Sequence, residues 1–259
     1  MQAIVLAGQQ NVAFQSVSAC QYEAEVPIAG RPMVEWVISA LKAAQRVDQV
    51  IVVGPHRSRS DGVIVTEAGK TLWESLASGL RQVSPSATQV LLVTADIPLI
   101  TGAIIDEFIE HCPLDADLVY PVVEKQRTLS RFPETIRTYV RLAGITVTGG
   151  NMVVANPKVL PKVEERAKVL IAHRKSPLRL ARDVGLILLL KLMTGRLSLS
   201  DAERRVSQVF GITGRVLECP HPEVGVDVDK IGDFTMAERV LSAAFKGRSG
   251  DGWIEQSTL

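Results

Sequence analysis

The chain has 259 residues, of which 46% are hydrophobic, and a formal net charge of +1 at pH 7. This length and hydrophobic content suffice for a full buried core and exclude an intrinsically disordered chain. The near-neutral charge gives no general reason to expect nucleic acid. The longest apolar run, residues 184–193, is much shorter than the roughly 20 residues that cross a bilayer, so a membrane partner is not expected.

The cysteines and the amino-terminal residues indicate a cytoplasmic protein. Cys20, Cys112 and Cys219 are far apart and form no Cys-x-x-Cys pair. An odd number of separated thiols suits a reducing compartment better than a disulfide framework. The first residues carry no basic segment before their apolar run, which is typical of a buried strand rather than a signal peptide.

Short β-branched runs alternate with helical patterns along the first half of the chain. This alternation is typical of β-α-β units and a largely parallel sheet. In chain order the pattern predicts a strand, a helix, a strand, a helix, a strand, a helix and a strand, at residues 3–6, 33–44, 50–53, 71–83, 90–94, 104–112 and 118–122.

The pattern changes in the second half. Strands predicted at 138–142 and 152–155 flank a Gly149-Gly150 break, which is typical of a mixed sheet. The remaining elements are an almost wholly helical stretch, a strand and a closing helix, at residues 157–211, 215–219 and 233–245. We therefore expect one domain over residues 1–246, with a helical insertion at about 157–211 and a flexible tail at 247–259.

Two acidic motifs adjoin β-prone segments. Asp96 follows the strand at 90–94, and Asp227 and Asp229 alternate along an extended segment, so that their side chains share one face. Ligands of open α/β sheets bind at the carboxyl ends of the strands, where carboxylates can hold a divalent ion against phosphates. The alternatives are a helix N-cap for Asp96 and a solvent-facing charged edge for the later pair.

A glycine closes the first strand, in the motif Leu6-Ala7-Gly8. Glycine lets backbone N–H groups approach phosphate oxygens closely, although a plain turn after the strand is the alternative interpretation. The Gly-x-Gly-x-x-Gly fingerprint of dinucleotide-binding folds is absent.

Taken together, the chain resembles the nucleotidyltransferases of the GT-A-like fold, in particular the MobA-like group and its cytidylyltransferase relatives. The motifs that carry this resemblance occur in the family's order: Leu6-Ala7-Gly8, Gly30-Arg31-Pro32-Met33, Ala95-Asp96-Ile97-Pro98-Leu99, Gly149-Gly150-Asn151, and Gly225-Val226-Asp227-Val228-Asp229 leading into Asp233-Phe234. The resemblance implies an α/β fold of three layers, α/β/α and Rossmann-like, with a mixed, mostly parallel sheet and a helical insertion.

The resemblance also implies an activity and a set of site residues. Asp96, Asp227 and Asp229 match the aspartates that hold Mg²⁺ on a nucleoside triphosphate, with CTP or GTP as the expected nucleotide. Leu6, Ala7, Gly8 and Ser75 match the nucleotide-binding positions, although a serine within a helix is commonly a packing residue. Arg137, Gly149, Gly150 and Asn151 would border a small anionic acceptor, with solvated surface as the alternative for Arg137.

The resemblance breaks at the loop after the first strand. Active relatives carry glycines and an arginine there and a lysine further on, whereas this chain has Gln9-Gln10-Asn11-Val12-Ala13-Phe14 and Glu23 in the lysine's place. Triphosphate transfer depends on neutralising the charge of the leaving pyrophosphate. Either other cations replace the missing ones or the transfer is lost; the candidate replacements are Arg31, Lys70, Lys125, Arg174 and Lys175.

The insertion offers two further features. It carries a basic segment at residues 173–182, and beside it the apolar run 184–193, which we expect to be buried in the core or in a homodimer interface. A basic helix next to an apolar one could also rest on an anionic membrane. Three hypotheses follow: a nucleotidyltransferase, a catalytically impaired nucleotide- or metabolite-binding protein of the same fold, and an interaction protein that dimerises through the apolar helix.

Overall fold

The computed structural model of the protein describes residues 1–54, 62–173 and 185–249. Its strands are β1 (Gln2–Leu6), β2 (Pro27–Ile28), β3 (Arg31–Pro32), β4 (Gln49–Val53), β5 (Val63–Thr66), β6 (Val90–Thr94), β7 (Leu118–Glu124), β8 (Val140–Arg141), β9 (Thr146–Gly149), β10 (Met152–Ala155) and β11 (Gly214–Glu218). The helices are α1 (Met33–Ala43), α2 (Leu72–Leu80), α3 (Gly102–His111), α4 (Lys125–Arg131), α5 (Leu160–His173), α6 (Leu186–Met193), α7 (Leu199–Phe210) and α8 (Ile231–Ser249). Two short 3₁₀ turns span Glu23–Glu25 and Pro222–Gly225.

One mixed sheet organises the described residues. Its order is β5-β4-β1-β6-β10-β7-β9-β8, with β11 pairing along β7. The pairs β1–β4, β1–β6, β4–β5 and β7–β11 are parallel, whereas β10 runs antiparallel to both β6 and β7. The pairs β7–β9 and β8–β9 are also antiparallel, so that β9 and β10 run against the direction that the other strands of this sheet share. The carboxyl ends of β1 and β6 lie side by side.

Helices cover both faces of this sheet, which gives three layers. Successive strand residues point to opposite faces: Ala3 and Val5 of β1 join the buried cluster under α1 and α3. Ile4, between them, packs with residues of α2 and α5 on the other face. The near-continuous apolar runs of β1, β4 and β6 are thus explained by burial on both sides.

Several boundaries differ from the sequence predictions. The strands β5 and β9 and the helix α4 were not expected, and β8 covers only two residues of the segment predicted at 138–142. The helix α3 begins at Gly102 rather than at residue 104, because Thr101 caps it by accepting a hydrogen bond from the backbone N–H of Ile104. The closing helix runs to Ser249, past residue 247, where the glycine-rich composition predicts the tail to begin.

The stretch expected to be helical contains α5, α6 and α7. The basic segment around Arg174 and Lys175 lies outside the described residues. The expectation that the apolar helix is buried in the core is wrong for α6: it has no fully buried residue, and Ile187 and Met193 are each 75% exposed. Only its Leu188 and Leu192 pack against the apolar cluster beside β7 and β9. A homodimer through α6 stays a prediction.

No helix of the described residues combines the length and the apolar character that a membrane crossing requires.

Candidate active site

The carboxyl ends of β1 and β6 create the edge at which the acidic motifs meet. The two strands are in register from Gln2 with Val90 to Leu6 with Thr94, and the backbone N–H of Ala95 donates to the carbonyl of Leu6 at 3.1 Å. Asp96 therefore emerges from the sheet beside Ala7 and Gly8. Its side chain accepts a hydrogen bond from the Thr94 hydroxyl.

Asp96, Asp227 and Asp229 come together at this edge. Each offers one carboxylate oxygen, and these oxygens lie within 4.8 Å of one another. The backbone N–H of Val228 donates to the carbonyl of Asp96 at 2.8 Å, which joins the two segments directly. Asp96 is not the N-cap of the following helix, because Thr101 occupies that position.

The segment that carries Asp227 and Asp229 is irregular rather than a strand, but its side chains alternate as expected. Val226 and Val228 are fully buried in an apolar cluster that also contains residues of α8. The two aspartates that alternate with these valines therefore face away from that cluster. Asp227 is half-buried and Asp229 is exposed. Buried valines therefore fix the orientation of both carboxylates.

Burial and mutual repulsion raise the pKa values of this trio. Desolvation by burial, with the negative charges of Asp227 and Asp229, raises the pKa of Asp96 to about 7, although the Thr94 hydroxyl opposes the shift. Desolvation and the neighbouring Asp227 carboxylate raise the pKa of Asp229 to about 6. A divalent cation would relieve this repulsion, and clustered carboxylate oxygens are the ligands that Mg²⁺ prefers. The donor set therefore fits a magnesium ion.

Arg137 lies beneath the trio with its side chain only 7% exposed. Its guanidinium donates to the Asp227 carboxylate, to the Asp227 carbonyl and, at 2.9 Å, to Asp233 in the first turn of α8. The sequence predicted an acceptor-binding role for this arginine. In the structure its terminal nitrogens have intramolecular partners, and these contacts tie the acidic segment to the start of α8.

A cleft of about 340 Å³ adjoins Asp96. It is lined by every residue that the sequence assigned to nucleotide binding, namely Leu6, Ala7, Gly8 and Ser75, and also by Gln9, Gln10, Glu23, Ala24, Gly69, Lys70, Thr71, Leu72, Thr94, Ala95 and Asp96. The first-strand motif and the start of α2 thus form two walls of one pocket, with a carboxylate of the trio at its edge.

The buried side chain of Ser75 shapes the wall opposite Gly8. Its hydroxyl accepts a hydrogen bond from the backbone N–H of Gly69 at 3.0 Å, which holds the loop before α2. A Cβ atom on Gly8 would lie 2.5 Å from the Cβ of Ala68 in that same loop. Gly8 is therefore required for the close approach of the two walls, and a larger residue would displace the Gly69 segment.

Gly149, Gly150 and Asn151 lie next to the acidic segment. A Cβ on Gly150 would lie 2.7 Å from Val224 Cγ1, and the backbone N–H of Asn151 donates to the carbonyl of Val224 at 2.9 Å. Asn151 in turn accepts from the backbone N–H of Thr94 at 3.1 Å. Asn151 therefore connects the end of β6, two residues before Asp96, to the turn that precedes Asp227.

Glu23, at a position where the family resemblance leads us to expect a lysine, is buried in the wall of the cleft. It is 5% exposed, and its carboxylate accepts a hydrogen bond from the Gln9 side-chain amide at 2.7 Å. Desolvation by burial raises the pKa of Glu23, and backbone hydrogen bonds from Ala13 and Val12 partly offset that effect. The loop at 9–14 is thus folded around an acid rather than a cation.

Of the cations proposed to compensate for Glu23, Lys70 lines the cleft. Arg31 lies in a separate groove between α1 and α8, where its guanidinium stacks on Trp36 at 4.6 Å. Lys125 lies over the Tyr139 ring at 5.3 Å, in a pocket beyond β7. Among the described residues that line the cleft, Lys70 is therefore the cation available to a bound anion.

Sequence reasoning missed three contributors: Thr94, Glu23 as a pocket wall, and Asp233 as a partner of Arg137. Thr94 was detectable, because it ends the strand two residues before Asp96, a spacing that lets both side chains point to the same side. Asp233 lies 96 residues from Arg137 in the sequence, and no local pattern indicates that pairing.

This combination of mixed sheet, carboxylate trio and adjoining cleft agrees with a family comparison. The family model described as "MobA-like NTP transferase domain" matches residues 3–182, more than half of the chain. The chain therefore belongs to the MobA-like nucleotidyltransferase family.

Individual relatives give the same fold. A solved structure of a hypothetical transferase from Thermus thermophilus is 40% identical, with a TM-score of 0.82, and the match covers 90% of this chain and 100% of that one. A CMP:2-keto-3-deoxy-manno-octonic acid synthetase complexed with CTP, 11% identical, has a TM-score of 0.60 and coverage of 94% and 100%. Both confirm the α/β nucleotidyltransferase fold that the sequence predicted.

A curated relative matches over a shorter region. The bifunctional protein GlmU of Thermoanaerobacter pseudethanolicus is 28% identical over 89 residues, which is 32% of this chain and 19% of that protein. The chain thus spans about a fifth of the length of that relative.

Proposed function

We propose that this protein is a Mg²⁺-dependent nucleotidyltransferase, which transfers a nucleoside monophosphate from a nucleoside triphosphate to a small phosphorylated or hydroxylated acceptor. The observation that carries the proposal is the meeting of Asp96, Asp227 and Asp229, with oxygens within 4.8 Å, at the mouth of a cleft lined by the first-strand motif. In the reaction, an acceptor oxygen bonds to the α-phosphorus and the bond to the bridging oxygen breaks, releasing pyrophosphate.

The three aspartates would hold the magnesium ion. When bound, Mg²⁺ supplies positive charge that neutralises phosphate oxygens and the charge that develops on the leaving group. The chain's own contribution is to orient the carboxylates: Thr94 positions Asp96 and Arg137 positions Asp227. We therefore assign Arg137 a positioning role in place of the acceptor contact expected from the sequence.

The nucleotide would occupy the cleft between the first-strand motif and α2. Ala7, Gly8, Gly69 and Ser75 line this cleft of about 340 Å³, which would receive the base. CTP or GTP is the proposed nucleotide; the fold-level relative solved with CTP supports the first of these. Gly149, Gly150 and Asn151 would border the acceptor, since they lie beside the acidic segment.

Pyrophosphate release tests this proposal. The protein is incubated with Mg²⁺, each of CTP, GTP, ATP and UTP, and a panel of sugar phosphates, polyol phosphates and hydroxylated cofactors. We expect acceptor-dependent release with CTP or GTP that disappears in Asp227→Asn. The activity is excluded if nucleotides bind tightly and no acceptor in a broad panel supports release.

A second function, a nucleotide- or metabolite-binding protein without transfer activity, is favoured by one observation. Glu23 places a buried carboxylate in the cleft wall, where charge on a triphosphate would be repelled. Metal-dependent nucleotide binding without turnover would support this function, whereas acceptor-dependent pyrophosphate release would exclude it.

A further inference from the structure

The loop after β1 is tied to the segment that carries Glu23. The N–H of Asn11 donates to the carbonyl of Gln21 at 2.8 Å, and the N–H of Glu23 donates to the carbonyl of Gln9 at 3.0 Å. The Gln9 side-chain amide in turn donates to the Glu23 carboxylate at 2.7 Å. Contacts within the chain therefore hold Glu23 in the cleft wall.

The Glu23 carboxylate places a negative charge of the protein itself in this wall. Glu23 is 5% exposed, and it shares the cleft lining with Gln9 and Asp96. A phosphate group that enters the cleft beside Gln9 would therefore compete with the Glu23 carboxylate for the Gln9 amide.

The other charges of the cleft also disfavour a long phosphate chain. Its described lining residues include one cation, Lys70, and two carboxylates, those of Glu23 and Asp96. A magnesium ion on the aspartate trio would attract one phosphate, but phosphates extending toward the loop would approach the buried charge of Glu23. Charge repulsion at short range in a partly desolvated site is substantial.

We propose that Glu23 determines how many phosphates the cleft accepts: its buried carboxylate holds the Gln9 amide and repels further negative charge, so that the β- and γ-phosphates of a nucleotide add little to binding. The wild-type protein then binds a nucleoside monophosphate and the matching triphosphate with similar affinity. This inference rests on the proposed nucleotide-binding role of the cleft and deepens it, since triphosphate binding would require displacement of the Glu23 contact.

Isothermal titration calorimetry with Mg²⁺ tests the inference, using CMP against CTP and GMP against GTP. For the wild type we expect the monophosphate and the triphosphate of the preferred base to bind with affinities within about tenfold of each other. Glu23→Gln keeps the shape and can still contact Gln9 but removes the charge; it should tighten triphosphate binding by about tenfold and change monophosphate binding by less than about threefold. Glu25→Gln, in the same 3₁₀ turn but outside the cleft lining, is the matched control and should change neither.

Two results would overturn the inference. One is a wild type that binds the triphosphate more than about 100-fold tighter than the monophosphate, or no monophosphate at all; this measurement does not depend on the folding of any variant. The other is a folded Glu23→Gln protein with an unchanged ratio of affinities. Pyrophosphate release is scored separately, so that similar affinities without turnover would support this inference and count against the transferase.

Discussion

Arg137 binds Asp227 twice, donating to its carboxylate and to its backbone carbonyl. The same guanidinium reaches Asp233 at 2.9 Å, so one buried cation joins the loop before β8, the acidic segment and the start of α8. Asp227 owes its orientation toward Asp96 to this contact and to the buried valines on either side of it.

Removing Arg137 should destabilise the protein. Arg137→Ala would leave Asp227 and Asp233 without their cation in a buried setting, and breaking a buried pair in this way costs about 3–5 kcal/mol. Urea denaturation measures the change in the free energy of unfolding. Arg239→Ala is the control, because both partners of its pair with Glu134 at 3.1 Å are exposed, and the pair should contribute less than about 1 kcal/mol. Equal losses in the two variants would contradict the structural role of Arg137.

The affinity for a divalent cation should rise with pH between about 5.5 and 8. Metal ligands must be deprotonated, and the pKa values of Asp96 and Asp229 are raised to about 7 and about 6. Titration with Mn²⁺ followed by electron paramagnetic resonance measures this dependence. A flat profile over that range would show that these carboxylates are already ionised or do not bind the ion.

Without metal, the same raised pKa values should make the wild type less stable as the pH rises. A carboxyl group whose pKa is higher in the folded state contributes stability that is fully present below its unfolded pKa and is lost as the pH rises through the folded value. For Asp96 this interval runs from 3.8 to about 7. Asp96→Asn should therefore gain stability relative to the wild type as the pH rises from 4 to 8 in EDTA; a difference independent of pH would contradict the raised pKa.

Close packing at Gly150 should matter for both stability and the site. In Gly150→Ala the new Cβ would meet Val224 Cγ1 at 2.7 Å and Pro121 Cγ at 2.8 Å, displacing the turn that leads to Asp227. Overpacking of this kind costs about 1–3 kcal/mol. Gly232→Ala, where nothing lies within 4 Å of the added Cβ, is the control and should be neutral or slightly stabilising. Thermal unfolding of both variants checks the prediction, and equal changes in their melting temperatures would contradict it.

The Ser75 hydroxyl should contribute to nucleotide binding as well as to the stability of the fold. Ser75→Ala leaves the backbone N–H of Gly69 without its acceptor, a loss of about 1 kcal/mol that should loosen the cleft wall and weaken nucleotide binding several-fold. Ser78→Ala in the same helix removes a buried contact with Thr66 at 2.9 Å, away from the cleft, and should leave nucleotide affinity unchanged. Calorimetry with both variants separates the two effects; equal affinities would contradict a role for Ser75.

The meeting of Asp96, Asp227 and Asp229 could be predicted from the family resemblance together with the local pattern, whereas their binding of a metal ion stays a prediction. Asp96 follows a buried strand, and the alternation of Val226 and Val228 with two aspartates fixes which side chains are buried. The parallel β-α-β pattern then brings both segments to one edge of the sheet.

Contacts between distant segments were not predictable in the same way. Arg137 and Asp227 are 90 residues apart in sequence, so no periodicity links them. The sequence therefore left open that Arg137 lies on the solvated surface. Glu23 was recognised as a departure from the family, but its burial in the cleft wall, against the Gln9 amide, depends on the three-dimensional course of the loop. The exposed apolar face of α6 is a further instance, because an apolar run does not specify which neighbour covers it.

We propose that Asp96, Asp227 and Asp229 hold one magnesium ion on which nucleotide binding depends. Isothermal titration calorimetry of the wild type and Asp96→Asn with CTP and with GTP, in Mg²⁺ and in EDTA, measures this directly, with the exposed Asp115→Asn as control. We expect Mg²⁺ to strengthen nucleotide binding in the wild type and in the control, and Asp96→Asn to reduce that gain by about 10- to 100-fold. Nucleotide binding that is equally strong in EDTA, or a Mg²⁺-dependent gain that Asp96→Asn retains in full, would contradict the claim.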